Sequence, residues 1–354
     1  MRRFARRPWA AFLLASSLVL AACGGGDSGD SKATEDAAEL VADEEAQETT
    51  TTAPPQAPAP LTGRPVDPGA VAQPAVSIKV DNSPDGRPQA GLEKADIIYE
   101  EKVEGGVTRF IAVYQSQDSE LVGPIRSLRT TDRSVVSAFG GVFVFSDGVA
   151  FTLNRLKGAP VAVVSERGGS APFTYPKGKR RPYATYGATA RLRKEVGKDP
   201  RGPAAAFSFL TKGEAFAPAG AVPAAKASIN YGGRTTGGFE WDSATGTWLR
   251  STNGSPHLLS DGTRLTFANV IIQKVPYRGV GYNDSAKNPV DEAVVVGSGD
   301  AIVLSGGKQV PARWSKPSAE SMTVFTDAAG TPIKVLAGPT MIALAPTSAP
   351  VSVT

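Results

Sequence analysis

The chain has 354 residues, 41% of them hydrophobic, with 38 basic and 34 acidic side chains for a formal charge of +4. A single cysteine and a single histidine exclude an internal disulfide and a zinc site of the usual nitrogen and sulfur ligands. Ser-His or Cys-His catalysis is left with one candidate base, His257.

In chain order, the first feature is Arg2, Arg3, Arg6 and Arg7, then an apolar stretch at 9–20, closed by Leu20-Ala21-Ala22-Cys23. A basic start, a short apolar core and small residues before a cysteine form the pattern of a bacterial lipoprotein signal. Twelve apolar residues reach only about 18 Å, against about 30 Å for a bilayer core, so a membrane-spanning helix is the poorer reading. Residues 1–22 are expected to be removed and Cys23 to be lipidated. The chain is then anchored to the outer face of the cytoplasmic membrane, in the cell envelope.

Residues 23–73 are poor in core-forming side chains and end in a proline-rich run at 53–60, which predicts a disordered tether. Its 24–60 portion carries nine carboxylates against Lys32 alone, while residues 69–354 keep 32 basic and 24 acidic residues, a formal +8. A basic body on an acidic tether suits work among anionic lipids, wall polymers or phosphorylated glycans, although an ordinary solvated surface has the same composition. No nucleic-acid-binding signature occurs, and nucleic acid is not an expected partner.

The body is long for one domain. The Ala/Pro-rich run at 216–227 predicts a linker between an α+β domain at 74–215 and a β-rich domain at 228–349. In the first, β-branched and aromatic runs predict strands at 75–81, 96–101, 107–115, 142–146 and 161–165. A helix is expected from a cap at Thr130 or Thr131 through residue 138, and another at 188–196. No regular βαβ rhythm appears, hence α+β. In the second, residues 239–242 and 247–250 flank a Ser/Thr/Gly turn as a hairpin. Further strands at 265–275, 292–296, 301–304, 309–314, 322–326 and 333–336 predict a mainly antiparallel small sandwich or barrel.

Chemistry is defined first by what is missing. His257 follows Asn253-Gly254-Ser255-Pro256 and reads as a turn or packing residue. No phosphate loop is present; neither cofactor nor metal is expected. What remains is a polar constellation: Asp81, Asn82, Arg87, Glu100, Glu101, Glu104, Arg109, Arg126, Arg129 and Asp147. Strand neighbours face opposite ways, so Glu100 and Glu101 are no catalytic pair, whereas Glu100 and Glu104 share a side if the strand runs straight. Asp81 or Asp147 with Glu100 or Glu101 would make a carboxylate pair for glycoside cleavage or cation binding. The same acids would equally form an internal salt-bridge network with the arginines. Arg126, Arg129 and Arg133 fall near one another if 123–133 is helical, and there form a candidate anion site.

Four segments, Ile78-Lys79-Val80-Asp81-Asn82, Arg87-Pro88-Gln89-Ala90-Gly91-Leu92, Ala95-Asp96-Ile97-Ile98-Tyr99-Glu100-Glu101 and Glu104-Gly105-Gly106-Val107-Thr108-Arg109-Phe110, resemble the YerB-like lipoproteins. So do Gly123-Pro124-Ile125-Arg126-Ser127-Leu128-Arg129, Asn269-Val270-Ile271-Ile272-Gln273, Val296-Gly297-Ser298-Gly299 and Trp314. The resemblance covers about 75–345 and implies a two-domain lipoprotein outside the cytoplasmic membrane, of unknown function. Where that family often carries Pro-His-Asn before a Tyr, this chain has Pro182-Tyr183-Ala184-Thr185-Tyr186. The sequence thus predicts a non-catalytic envelope protein that binds an anionic wall component or a protein partner, with a carboxylate-based enzyme acting on wall glycans as the alternative.

Overall fold

The structure, a computed structural model, describes residues 56–169, 172–197, 200–284 and 287–354. Cys23 and residues 1–55 lie outside the described residues. The body begins earlier than residue 74. Residues 57–58 pair with 65–66, a short helix follows at Pro68–Val71, and Leu61 is fully buried in the core. The expected tether of 23–73 is therefore too long at its C-terminal end, because Leu61 has an apolar face to fill.

The first half supplies β1 (Val76–Asp81), β2 (Ile97–Lys102), β3 (Thr108–Tyr114), α1 (Asp132–Val136), β4 (Val142–Phe145), α2 (Ala150–Leu156), β5 (Ala162–Ser165) and α3 (Thr189–Arg193). The second supplies β6 (Lys226–Asn230), β7 (Thr236–Asp242), β8 (Thr247–Thr252), β9 (Asn269–Val275), β10 (Tyr277–Asn283) and β11 (Pro289–Ala293). It ends with β12 (Gly297–Ser305), β13 (Lys308–Lys316), β14 (Thr340–Pro346) and β15 (Val351–Val353).

Among the described residues the main sheet has eleven strands, in the order 222–223, β13, β12, β9, β14, β2, β3, β1, β4, β5, with 324–326 added beside β13. β14 runs parallel to both β9 and β2, and β1, β4 and β5 are parallel to one another. A six-stranded antiparallel sheet, 255–256, β8, β7, β6, β15 with 266–267 beside β8, covers one face of the main sheet. There Val76, Ile78, Ala112, Val270 and Met341 pack with Ile229, Phe239 and Trp248. The opposite face, with Ile111, Val113, Phe143, Ile271 and Leu344, is covered by Val135 and Val136 of α1 and Leu156 of α2.

The fold is thus mainly β and made of several sheets. The α+β description of the first half holds only loosely, since its helices are one or two turns long. The helix expected through residue 138 ends at Val136, and β4–α2–β5 forms one parallel crossover unit. The second half does not close into its own sandwich or barrel. Its strands divide between the two sheets, and β14 lies between β9 and β2. The 216–227 run is largely exposed, but Phe216, Ala224 and Ala227 are buried, and 222–223 pair with β13.

Candidate functional site

With both faces of the main sheet covered, Lys79, Asp81, Glu100 and Glu101 on its central strands are desolvated and need partners. The alternation along β2 sends Glu100 to one face and Glu101 to the other, as the period of a strand requires.

On the face toward the six-stranded sheet, Glu100 is a fully buried hub. It accepts from Arg250 Nη2 of β8 at 2.8 and 2.9 Å, from Tyr231 OH at 2.9 Å, from Thr108 Oγ1 at 2.8 Å and from Asn82 Nδ2 at 3.3 Å. Nearby, Gln89 donates to the Asp81 carbonyl at 2.7 Å, while its Oε1 lies 3.0 Å from His257 Nε2. His257 Nδ1 is 2.8 Å from Thr252 Oγ1. Burial first, then the positive charges of Arg250, Arg87 and Arg264, push the imidazole down to about 3. A buried, neutral histidine held between Gln89 and Thr252 joins the two halves of the chain. Arg87 is half-buried beside the same cluster, and burial followed by the Arg250 charge lowers its pKa.

On the other face, β3 sets Arg109 opposite Asp81 of β1 and Glu101 of β2 in one cross-strand row. Lys79 Nζ contacts Glu101 and lies 2.5 Å from Asp132 Oδ1, all three fully buried. Two carboxylates share this one ammonium. Burial foremost, with Glu101 adding to it against Lys79, raises Asp132 to about 7. Sequence reasoning missed both Lys79 and Asp132. A lysine in the middle of an apolar strand was the available signal, because such a residue must find a carboxylate.

The remaining candidates gather at one end of this face. Residues 122–125 run extended rather than helical, bridging to Gly187, Ala90 and Val80, which corrects the expected helical clustering of Arg126, Arg129 and Arg133. Each pairs with a different acid: Arg126 Nε with Asp81 at 3.0 Å, Arg129 Nη2 with Glu104 at 2.7 Å, and Arg133 with Glu320 at 3.9 Å. Glu104 sits in a 3-10 turn after β2, and that turn carries it away from Glu100, so the two acids do not share a side. Arg109 Nη1 donates to the Ser127 carbonyl at 2.8 Å. Its burial and the neighbouring guanidiniums of Arg129 and Arg126 bring it to about 9, so it stays charged at neutral pH. Of these three guanidiniums, Arg126 and Arg129 have ion pairs with Asp81 and Glu104, and Arg126 Nη1 also donates to the Pro182 carbonyl at 3.3 Å.

Beside them opens a cleft of about 200 Å³. Arg129, Glu104 and Ser127 form its base, Thr152 of α2 one wall and Tyr282 of β10 another. Asp147 and Arg167, 3.4 Å apart and both exposed, stand at its edge. The Tyr282 ring stacks on Phe151 with centroids 5.5 Å apart and planes 9° apart, which fixes the β10–β11 hairpin against α2. No cluster of potential metal ligands occurs among the described residues.

Residues 61–202 match the family described as "Protein of unknown function (DUF3048) N-terminal domain", and residues 227–342 match its C-terminal domain. The chain belongs to the DUF3048 family. A Bacillus subtilis (strain 168) member named "Putative lipoprotein YerB" is 44% identical over 86 residues, a stretch that spans 24% of this chain and 26% of that relative. The crystal structure of YerB from Bacillus subtilis superposes with a TM-score of 0.71 at 22% identity, covering 83% of this chain and 99% of the other. At that identity the likeness shows the fold.

Proposed function

We propose that this chain is a lipid-anchored protein on the outer face of the cytoplasmic membrane, which binds an anionic component of the cell envelope in the cleft beside Arg129 without cleaving it. The observation that carries this reading is the cluster of three guanidiniums beside the cleft, of which Arg129 lines it. Arg126 and Arg129 pair with Asp81 and Glu104, and Arg109 lies close to both arginines. Guanidinium groups present planar forks suited to carboxylate or phosphate, and the formal +8 of residues 69–354 draws such ligands from a distance. The Leu20-Ala21-Ala22-Cys23 signal supports the anchor, as does the name of the Bacillus relative.

The carboxylate-enzyme alternative needs uncommitted acids. Asp81, Glu100 and Glu101 are instead bound to Arg126, Arg250 and Lys79, leaving Asp147 at the edge of the cleft beside Arg167.

The test is binding of the chain from Gly24 onward to anionic wall polymer and to phosphatidylglycerol vesicles at two salt concentrations, comparing wild type with Arg129→Gln/Arg167→Gln. Loss of a charge-assisted contact weakens binding by about tenfold or more, and the wild-type affinity should fall with salt. Salt-independent binding, or equal binding by the well-folded double variant, would remove the cleft from the reading. Release of reducing ends from wall glycan would replace it with the enzymatic one. The anchor is tested separately: Cys23→Ser should move the protein out of the membrane fraction.

A further inference from the structure

The cleft carries both charges. Its lining sets Arg129 and Arg167 beside three carboxylates, Glu104, Asp147 and Asp284, with hydroxyls from Ser127 and Thr152 among them. The aromatic ring of Tyr282 and the apolar Leu128, Val149 and Val290 supply the rest of the surface. A site built for a bare phosphate or carboxylate has no use for acceptors or for a flat apolar wall. A site for a ring that carries hydroxyls on its edge and C–H groups on its face needs both.

From this we infer that the unit seated in the cleft is one sugar ring of an anionic glycan, with Tyr282 as the platform for its apolar face. The inference rests on the binding reading above and narrows its ligand to a saccharide rather than a lipid headgroup. Tyr282 is suited to the task because its own stack on Phe151 fixes its plane before any ligand arrives, so little freedom is lost on binding. The size of the cleft agrees. At about 200 Å³ it falls below the roughly 300–1,000 Å³ of sites that enclose a drug-sized molecule. It therefore takes a single ring of a longer chain, and the rest of the polymer runs out over the basic surface. Arg167 and Asp147, exposed at the edge, are placed to meet ring substituents as the chain leaves.

The experiment uses the chain from Gly24 onward with two probes: soluble glycan strands freed of peptide, whose sugars carry carboxylates, and vesicles of equal parts phosphatidylglycerol and phosphatidylcholine. Wild type is compared with Tyr282→Leu, which keeps an apolar contact with Phe151, and with Tyr282→Phe, which keeps the flat ring. Loss of the aromatic platform should weaken glycan binding by about tenfold in Tyr282→Leu and leave Tyr282→Phe close to wild type. Vesicle binding should be alike in all three. Saturation-transfer NMR on wild type should place the strongest transfer on sugar ring C–H protons, a signal that does not depend on any variant folding. Equal glycan affinity in wild type and Tyr282→Leu, with no preferential transfer to ring protons, overturns the saccharide inference. Binding to vesicles but not to glycan overturns it too, while leaving the anion-binding reading in place. If neither probe binds, both readings fall.

Discussion

Glu100 and Arg250 show how a buried charge is tolerated. Each is completely removed from solvent, and the carboxylate is satisfied by Arg250, Tyr231, Thr108 and Asn82 together. Removing one partner of such a pair leaves an uncompensated ion, so Glu100→Gln should cost about 3–5 kcal/mol in urea unfolding. A loss below 1 kcal/mol would mean that Arg250 finds water or another acceptor.

His257 and Asp132 make opposite contributions to pH dependence. With its folded value near 3, His257 contributes stability that is present above its unfolded pKa of about 6.5 and is lost as pH falls toward 3. Asp132, raised to about 7 by burial and by Glu101, contributes stability that is present below about 4 and is lost as pH rises through 7. Between about 4 and 6.5 the two oppose each other. In His257→Gln only the Asp132 effect remains of this pair, so its stability relative to wild type should decline as pH is raised from 4.5 to 6.5, read from urea midpoints. The imidazole resonances of His257, the only histidine in the chain, should not titrate between pH 5 and 8. A midpoint near 6.5 would place this side chain in solvent.

The strands around these residues were largely visible in advance, because β-branched and aromatic runs mark them wherever they lie in the fold. β1 was expected at 75–81 and is Val76–Asp81. Helix lengths were less legible. α1 ends early, at Val136, and Asp132 in its first turn directs its carboxylate to Lys79 and the Arg129 amide. Close approach between elements was also invisible beforehand. Gly237 of β7 lies against the Arg250 guanidinium, where an added Cβ would sit 2.3 Å from Nη1. Gly237→Ala should therefore destabilise by about 1–3 kcal/mol through overpacking, seen as a lower melting temperature. No change would mean that Arg250 moves aside freely.

The two family regions, 61–202 and 227–342, are distinct along the chain but share a sheet. β14 from the second pairs with β2 from the first along Thr340–Leu344 and Ile97–Glu101, and Glu100–Arg250 and Gln89–His257 cross between the halves. Thermal unfolding of the chain from Gly24 onward should accordingly show a single calorimetric transition. Residues 24–226 expressed alone should fail to unfold cooperatively, since β2 would lose its neighbour and Glu100 its counter-ion. Two resolved transitions would show that the halves are stable separately.

The lipoprotein signal, the positions of most strands and the membership of the polar constellation are all carried by local pattern: the composition of a short run, or the alternation of a strand. Pattern of that kind survives without knowledge of the partner. The pairing of each acid with each cation, the crossing of β14 between β9 and β2, and the cleft between Arg129 and Tyr282 depend on contacts between residues far apart in the chain. Glu100 and Arg250 are 150 positions apart. No local rule couples such residues; the burial of both faces of the main sheet does, because every charge placed there must find its counterpart or leave the core.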